Sequence, residues 1–286
     1  IATLVLDEFD KSLEMGFQTE MAEIIENLPK LNKKVLVSAT GHSKVPDFTK
    51  ISNPFILDFT RSRQQVEGLT IRIVDAAKGS KVSKLIDLLR LLGPESTIVF
   101  CNLRETVEDL NQSLKEAGMD CAGFHGKLEQ DDRERTLIRF RNGSVLYLIA
   151  TDLAARGLDI PDVKHIIHFE LPMKGDEFVH RNGRTARMHA EGYAYVLVNS
   201  DETLPGYFSD RRAILKLPEV LPQTATSEWI TIYISGGKKN KLSKIDIVGF
   251  LMQKGKIEKT DLGLIEVKDT ISFAAVKKQN VAHMLK

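Results

Sequence analysis

The feature that most constrains the fold of this chain is a regular alternation of short apolar runs with amphipathic helical segments. Several runs are unbroken rather than alternating in polarity, as expected for strands that are covered on both faces of a sheet. The candidate strands are Leu4–Leu6, Val35–Val37, Phe55–Asp58, Ile71–Val74, Thr97–Phe100, Val145–Ile149, His165–His168 and Tyr193–Val198. This alternation predicts an α/β fold with a parallel sheet and right-handed crossovers.

One of the intervening helices can be followed from its start to its end. Its apolar stripe, with the period of 3.6 residues, consists of Leu103, Val107, Leu110 and Leu114. Asn102 and Glu105 have the spacing of a capping box, and Gly118 is expected to end the helix.

The chain has 286 residues, which is enough for two or three domains. Polar residues near 61–68 and prolines near 217–227 mark two boundaries. Because the chain begins at Ile1 inside an apolar run, we expect that an upstream part of the first domain is missing. The predicted division is 1–60, 61–216 and 217–286.

Charge is nearly balanced overall but unevenly distributed. From Trp229 onward there are eleven lysines, no arginine and five acids, a net charge of +6, whereas the whole chain carries +1. A basic C-terminal part on a mildly acidic body indicates contact with a polyanion, and a solvated lysine-rich surface is the alternative.

The cysteines and the apolar runs indicate the cellular compartment of the protein. Cys101 and Cys121 lie in apolar runs without metal-ligand spacing, so we expect buried free thiols. No apolar run approaches the roughly 20 residues of a membrane span, and no signal peptide is visible. We therefore expect a reducing, cytoplasmic location and no membrane partner.

Two charged clusters indicate the chemistry. Asp7 and Glu8 follow the first strand, and an arginine-dense segment, His180–Arg187, comes much later. A carboxylate pair suits a metal ion and a water, and arginines suit the triphosphate that such a metal neutralises. Together they predict a nucleotide site built across two lobes.

Polar residues also follow several predicted strands, where ligands collect in doubly wound sheets. The four clusters are Asp7–Glu8, Ser38–Thr40, Asn102 and Thr151–Asp152, the last leading into Ala154–Asp159. For Asn102 taken alone, an ordinary helix cap is the preferred interpretation.

These segments resemble the motifs of the DEAD-box RNA helicases of helicase superfamily 2, over essentially all of residues 1–216. The matching segments are Asp7–Asp10, Ser38–Thr40, Ile98–Asn102, Gln130 with Arg133, Ala150–Asp152 through Gly157–Asp159, and His180–Arg187. The sequence departs from the usual pattern at Phe9 (usually alanine), Asn182 (usually isoleucine) and Ala186 (usually glycine). The resemblance implies RecA-like parallel-sheet domains, with a partial first lobe and a complete second lobe.

The resemblance implies ATP and Mg²⁺ as cofactors. Asp7 would hold the magnesium ion through water, and Glu8 would orient and deprotonate the attacking water. Arg184 and Arg187 would neutralise charge at the γ-phosphate. The remaining implied roles are ribose contact for Asp159, a link from the nucleotide to the coupling residues for His180, and coupling of closure to RNA for Asp10, Ser38 and Thr40. A structural hydrogen bond is the alternative role for Asp10.

The resemblance also implies RNA contacts. Gly126, Gln130, Arg133 and Thr151 would bind the sugar-phosphate backbone, which carries no sequence information, so little sequence preference is expected. For Arg133, an exposed helix face is the alternative, because it lies in the charged run 131–135.

No G-x-x-x-x-G-K-[ST] phosphate loop occurs in the sequence. The family places this loop upstream of the acidic motif. We therefore expect an ATPase in the parent protein and negligible hydrolysis by these 286 residues alone.

The last part of the chain predicts a strand, a helix, two strands and another helix, which is most of the α+β plan of an RRM. With its Tyr233–Lys239 segment, it resembles the RNA-binding domain of bacterial DbpA-type helicases. That domain implies ribosomal RNA as partner and a part in ribosome biogenesis. Because the aromatic RNP1 signature is absent, Lys238, Lys239 and Lys241 are the candidate phosphate contacts, and core packing is preferred for Tyr233 and Phe273.

Two other functions stay open. The first is a superfamily-2 helicase that acts on DNA, against which His180–Arg181 and Ser38–Thr40 favour the RNA branch. The second is a non-catalytic RNA-binding adaptor, which has no need of Glu8, Arg184 or Arg187.

Overall fold

The structure, a computed structural model, describes residues 1–38, 45–58, 68–76, 79–155, 163–185, 191–199, 202–208 and 214–284. The chain divides into two compact units, Ile1–Val66 and Glu67–Lys286, and each is treated separately below. The predicted three-part division stays a prediction.

The first unit contains a small parallel sheet. Strand β1 (Thr3–Leu6) pairs in parallel with β2 (Lys33–Leu36). Helices α1 (Phe9–Glu14) and α2 (Gln18–Glu26) connect them, and α2 buries Met21 and Ile25. The prediction of a strand at Phe55–Asp58 is wrong: residues 54–58, all described, form none, and Phe55 is 89% exposed. An apolar run becomes a strand only where a neighbour completes its backbone hydrogen bonds.

The second unit contains the predicted parallel sheet, which is confirmed. Its strands are β3 (Leu69–Asp75), β4 (Thr97–Cys101), β5 (Cys121–Phe124), β6 (Tyr147–Thr151), β7 (His165–His168) and β8 (Gly192–Val198). Their order is β3-β8-β7-β4-β6-β5, and every pair is parallel. Strand β5 escaped prediction because its four residues, Cys-Ala-Gly-Phe, include two poor strand formers.

Helices cover both faces of this sheet. They are α3 (Lys81–Leu92), α4 (Arg104–Glu116), α5 (Gln130–Arg141), α6 (Asp152–Ala155) and α7 (Gly175–Asn182). The residues of β4 form an unbroken apolar run because helices pack on both of its faces. Val99 packs with α3 and α4, whereas Ile98 and Phe100 pack with α5 on the other face. Each such side chain stabilises the fold by about 1.5–3 kcal/mol when fully buried.

The predicted start of α4 is wrong in detail. The residue that caps the helix is Leu103, which is 60% exposed and makes no side-chain cap, so Asn102 and Glu105 do not form a capping box. The expected stripe is otherwise buried, and Gly118, with a φ of 76°, follows the helix end as predicted.

The C-terminal module is the predicted small α+β fold. It consists of β9 (Trp229–Ile234), α8 (Lys244–Gln253), β10 (Leu262–Val267), β11 (Ser272–Lys277) and α9 (Lys278–Met284). The antiparallel sheet has the order β10-β11-β9. Helix α8 buries Ile247 and Leu251, whereas its apolar residues Ile245 and Phe250 are 81% and 63% exposed.

Two general expectations can be compared with the structure. Cys101 and Cys121 are buried free thiols, as predicted. Burial raises the pKa of Cys101 far above its ordinary value and that of Cys121 to about 11. Within the described residues, none of the helices combines the length and the apolar character needed to cross a bilayer.

Candidate functional site

The polar residues of the second unit collect at one edge of the sheet. Asn102 follows β4, Thr151 ends β6 and Asp152 begins α6, and Glu170 comes just after β7. Strands β7, β4 and β6 are neighbours and parallel, so their carboxyl ends lie side by side. This edge is where ligands bind in doubly wound sheets.

Arg181, on the last turn of α7, ties these strand ends together. Its Nε and Nη2 donate to the two carboxylate oxygens of Asp152 at 2.7 and 2.5 Å. Its Nη1 donates to the carbonyl oxygen of Glu170 at 2.6 Å, and Nη2 also donates to Oδ1 of Asn102 at 2.8 Å. Its guanidinium carbon lies 5.1 Å from the centre of the Phe100 ring.

This network must compensate the charge of a buried arginine. Arg181 is 1% exposed, so its charge depends on Asp152, whose side chain is 22% exposed. Asn102 completes the arrangement: its Nδ2 donates to the carbonyl oxygen of Leu171 at 2.9 Å, and its backbone N–H donates to Oε2 of Glu170 at 2.7 Å. The preferred interpretation of Asn102 as a helix cap is therefore wrong.

Arg181 and Asp152 lie in segments that the sequence singles out, but the sequence predicts no contact between them. A signal was present, because an arginine inside the cluster and an acid directly after a predicted strand are complementary in charge. Their pairing was hidden because the two residues lie 29 positions apart.

The residues expected at the nucleotide lie on and just beyond α7. His180 is half-buried in its last turn, and Arg184 follows the helix by two residues. The backbone N–H of Arg184 donates to Arg181 at 3.2 Å, and its carbonyl oxygen accepts from Val163 at 3.1 Å. The hydroxyl of Thr185, which is buried, donates to the carbonyl oxygen of Val163 at 2.5 Å. Arg184 is thus anchored on both sides, whereas Arg187 and Asp159 lie outside the described residues.

The residues expected to contact RNA lie at the β5–β6 side of the same edge. Gly126 is exposed between β5 and α5, Gln130 is the exposed first residue of α5, and Thr151 is half-buried. Because Phe124 is opposite Ala150 in the β5–β6 register, Gly126 and Thr151 lie at neighbouring strand ends. Arg133 is half-buried, and its guanidinium carbon is 5.3 Å from the Phe124 ring centre. Its side chain therefore lies over an aromatic ring instead of extending freely from an exposed helix face.

The first unit carries the acidic motif at the carboxyl end of β1. An oxygen of Asp7 accepts the backbone N–H of Glu8 at 3.0 Å, and Glu8 has left-handed backbone angles, with φ 49°, at the start of α1. Non-glycine residues in this conformation cluster at functional sites. Asp10 is buried, with 7% exposure, and Ser38 is half-buried after the neighbouring strand β2. Thr40 lies outside the described residues.

The lysine loop of the C-terminal module, residues 236–242, is held by backbone hydrogen bonds. The N–H groups of Lys238 and Lys239 donate to the carbonyl oxygens of Lys268 and Asp269, both at 2.8 Å. A Cβ at Gly237 would lie 2.3 Å from the Lys268 oxygen, so only glycine fits there. The side chains of Lys238, Lys239 and Lys241 are exposed, which leaves them open to phosphates.

The two aromatic residues of this module differ. Phe273 is 5% exposed, so the expected core packing is confirmed for it. Tyr233 is 54% exposed, so that expectation is wrong for it. The two rings meet edge to face with centroids 5.8 Å apart.

Three family models match the chain. DEAD/DEAH box helicase matches residues 1–48, the helicase conserved C-terminal domain matches 80–189, and the DbpA RNA binding domain matches 231–286. The chain belongs to the DEAD-box helicase family. Its C-terminal module is a DbpA-type RNA-binding domain, as the sequence predicted.

Curated relatives of this DEAD-box chain include two bacterial proteins. It is 30% identical over 319 residues to an ATP-dependent RNA helicase DbpA of Bacillus subtilis (strain 168), covering 100% of this chain and 66% of that protein. It is 33% identical over 288 residues to an ATP-dependent RNA helicase DbpA of Escherichia coli (strain K12), covering 98% and 63%. The chain therefore spans just under two thirds of the length of these relatives.

Solved structures agree on the fold. Dbp5 of S. cerevisiae, bound to RNA and ADP BeF3, matches with a TM-score of 0.60 and 29% identity, over 70% of this chain and 54% of that one. The predicted RecA-like architecture is confirmed.

One departure of this DEAD-box chain from the usual motif has a packing explanation. Asn182 is 2% exposed, and its Oδ1 lies 2.9 Å from Nε2 of His168, which is fully buried. Burial, with a further contribution from the Arg181 charge, lowers the pKa of His168 to about 3, so the ring is neutral and Nε2–H donates to Asn182. His168 therefore supplies the partner that an amide at this position requires.

Proposed function

We propose that the chain acts in an ATP-dependent RNA helicase that binds the RNA backbone and remodels short RNA duplexes or ribonucleoproteins. The observation that carries this proposal is the buried Arg181 network. Arg181 belongs to the helix that bears His180 and leads to Arg184, and its partner Asp152 directly follows Thr151. A movement caused by nucleotide at α7 would therefore be passed to the RNA-contacting strand end.

ATP and Mg²⁺ are the cofactors of the proposed reaction. Magnesium keeps several waters and takes one or two carboxylates plus phosphate oxygens, and the exposed Asp7 fits that role. When bound, the ion would neutralise charge on the phosphates. Glu8 would accept the proton of the attacking water, while Arg184 and Arg187 would bind the γ-phosphate. Asp159 would contact the ribose and His180 would connect it to Asp10, Ser38 and Thr40.

RNA would be bound in two places. The first place, the sugar-phosphate contact, would consist of Gly126, Gln130, Arg133 and Thr151. The second, the lysine loop, would direct the protein to ribosomal RNA. The protein would then act in ribosome biogenesis, in the cytoplasm. The exposed, fixed lysines support phosphate contact, and the two DbpA relatives support an RNA partner.

The enzymatic proposal can be tested by supplying the absent phosphate loop. A chimera would join the phosphate-loop segment of the B. subtilis relative to residue 1, and ATP hydrolysis would be measured with and without single-stranded RNA. We expect RNA-stimulated hydrolysis by the chimera and none by the 286-residue chain. Arg184→Ala should lower kcat by about 10³-fold, as for other arginines at a γ-phosphate.

Two controls separate the alternatives. Arg139→Ala removes an exposed arginine of α5 and should leave the rate unchanged. Glu8→Gln should abolish turnover while ATP and RNA stay bound, and an unchanged rate would instead support a non-catalytic adaptor. Equal unwinding of DNA and RNA duplexes would support the DNA-directed alternative.

The ribosomal target requires its own measurement. Binding of a ribosomal RNA hairpin and of a scrambled hairpin should be compared at one fixed salt concentration, because phosphate contacts depend strongly on salt. We expect tighter binding of the ribosomal hairpin. Equal affinities would remove ribosomal RNA from the proposal.

A further inference from the structure

The sheet of the C-terminal module has two faces with different surroundings. Because paired residues of neighbouring strands share a face, Ile232, Ile234 and Ala274 lie on the face that packs against α8. The opposite face carries Trp229, Thr231, Tyr233, Phe273 and Ala275. RRM modules use this opposite face to stack bases.

Two residues of this opposite face are buried although the module core lies on the other side. Ala275 is 0% exposed and Phe273 is 5% exposed. Trp229 extends over this face, because a Cβ at Gly263 would meet both the indole and Ala275, at 3.1 and 2.9 Å. Within the module, the Trp229 indole lies beside Ala275 at Gly263, and the Tyr233 ring meets Phe273 edge to face.

The helicase lobe contacts this face through the segment that ends α5 and leads to β6, residues 141–146. The hydroxyl of Thr231 accepts from Nδ2 of Asn142 at 2.8 Å and donates to Oγ of Ser144 at 2.9 Å. A Cβ at Gly143 would lie 3.4 Å from the Trp229 indole. These contacts place the lobe on the part of the sheet face that the edge strand β9 forms.

Charged pairs surround this contact. Arg141 Nη2 lies 2.8 Å from Oε1 and 3.0 Å from Oε2 of Glu266, with both side chains largely shielded from water. Lys268 reaches Glu134 of α5 at 2.5 Å, and Lys278 reaches Asp120 at 3.1 Å. Direct hydrogen bonds inside a rim of charged pairs are typical of a specific protein interface.

The chain leading into the module is also attached to the lobe. The hydroxyl of Ser227 donates to the carbonyl oxygen of Gly143 at 2.5 Å, and its backbone N–H donates to Oδ2 of Asp120 at 2.6 Å. Further back, Nε of Arg90 donates to the hydroxyl of Thr224 at 3.2 Å. These bonds remove the freedom that a linker would otherwise give the module.

We propose that the part of this sheet face that bears Trp229, Thr231, Phe273 and Ala275 is a docking surface for the helicase lobe and is closed to nucleobases, whereas Tyr233, on the edge strand β9, stays exposed. The module and the lobe then move as one body, and RNA reaches the module through the lysine loop. This inference rests on the proposed function only for its last part, the binding of RNA.

The docked arrangement also fixes the spacing between the lysine loop and Arg133. Arg133, near the start of α5, and Arg141, at its end, are eight residues apart, which is about 12 Å along a helix. Glu134, next to Arg133, holds Lys268, whose carbonyl oxygen holds the lysine loop. An RNA strand bound at the lysine loop would therefore enter the lobe at a fixed spacing from Arg133.

The single tryptophan of the chain reports on docking. Thr231→Arg should separate the module from the lobe because it places a long charged side chain against Asn142 and Ser144, while the face toward α8 is untouched. We expect the Trp229 emission of the variant to shift to the red and its quenching by acrylamide to rise severalfold. Far-UV circular dichroism should stay unchanged, which shows that the module remains folded.

The matched control is Thr260→Arg, the same substitution at an exposed residue of the module. Its emission should equal that of the unaltered chain. An unchanged emission in Thr231→Arg, with circular dichroism intact, would overturn the docking proposal.

The nucleic-acid part is tested by titrating single-stranded RNA while binding is followed by fluorescence anisotropy of a labelled RNA. We expect saturable binding without a change in Trp229 emission, and loss of that binding in Lys238→Ala/Lys239→Ala. A saturable red shift on RNA addition would overturn the closed face, because it would show RNA displacing the lobe. No binding by anisotropy would count against the proposed function and leave the docking result intact.

Discussion

Removal of Asp152 should destabilise the second unit far more than its partial exposure indicates. In Asp152→Ala the guanidinium of Arg181, which is 1% exposed, loses both bonds to a carboxylate and keeps only neutral partners. Breaking one side of a buried ion pair costs about 3–5 kcal/mol. Because 22% of the Asp152 side chain is exposed and water can enter, we take the lower value, about 3 kcal/mol. For a unit of this size the expected fall in Tm is about 6–12 °C.

Thermal and urea unfolding followed by circular dichroism would measure this loss. The matched control is Asp87→Ala, since Asp87 has 24% side-chain exposure and pairs with Lys84 at 3.5 Å on a helix surface. The control should cost less than about 1 kcal/mol. Arg181→Met added to Asp152→Ala should restore part of the loss, because no uncompensated charge is then buried. Equal losses for Asp152→Ala and Asp87→Ala would refute the reasoning.

Three further outcomes are expected. Burial lowers the pKa of His168 to about 3, so its unfolded form alone takes up a proton as the pH falls below about 6.5. His168 should therefore contribute a loss of stability of about 1.4 kcal/mol per pH unit there, in addition to the loss from His165, whose pKa burial lowers to about 4. His168→Gln should remove the first contribution and leave the second in urea titrations at pH 7 and 5.5. Gly237→Ala should displace the lysine loop from Lys268 and weaken RNA binding measured by anisotropy. Gly249→Ala, in open space on α8, should instead stabilise the module by about 0.5–1 kcal/mol. Equal effects of the two substitutions on RNA binding would contradict the loop geometry. Burial raises the pKa of the Cys121 thiol to about 11, so mass spectrometry should find alkylation near pH 8 only after denaturant is added, and rapid labelling of the native chain would contradict its burial.

The candidate site was predicted in part. The residues after β4 and β6 were expected at the ligand-binding edge because a parallel sheet brings its carboxyl ends together, and the structure has them there. The helix-cap interpretation of Asn102 is wrong because the two partners of its side chain, Leu171 and Arg181, are 69 and 79 residues away, whereas a cap needs only neighbours.

Sequence alone determined the α/β class, most strands, and the segments that carry the motifs. These depend on the spacing of apolar residues over a few positions and on charged groups directly after a strand, both of which are local properties of the chain. The same local patterns predicted the small antiparallel module and its exposed lysines.

Only the tertiary structure decided what each side chain meets. It rejected the strand at Phe55–Asp58, exposed Phe250 on α8, and placed Arg181 at the centre of a network drawn from three strand ends. It also placed the end of α5 against the module's sheet. Partners so distant in the sequence are selected by the order of strands and the docking of folded parts, for which a local pattern contains no information.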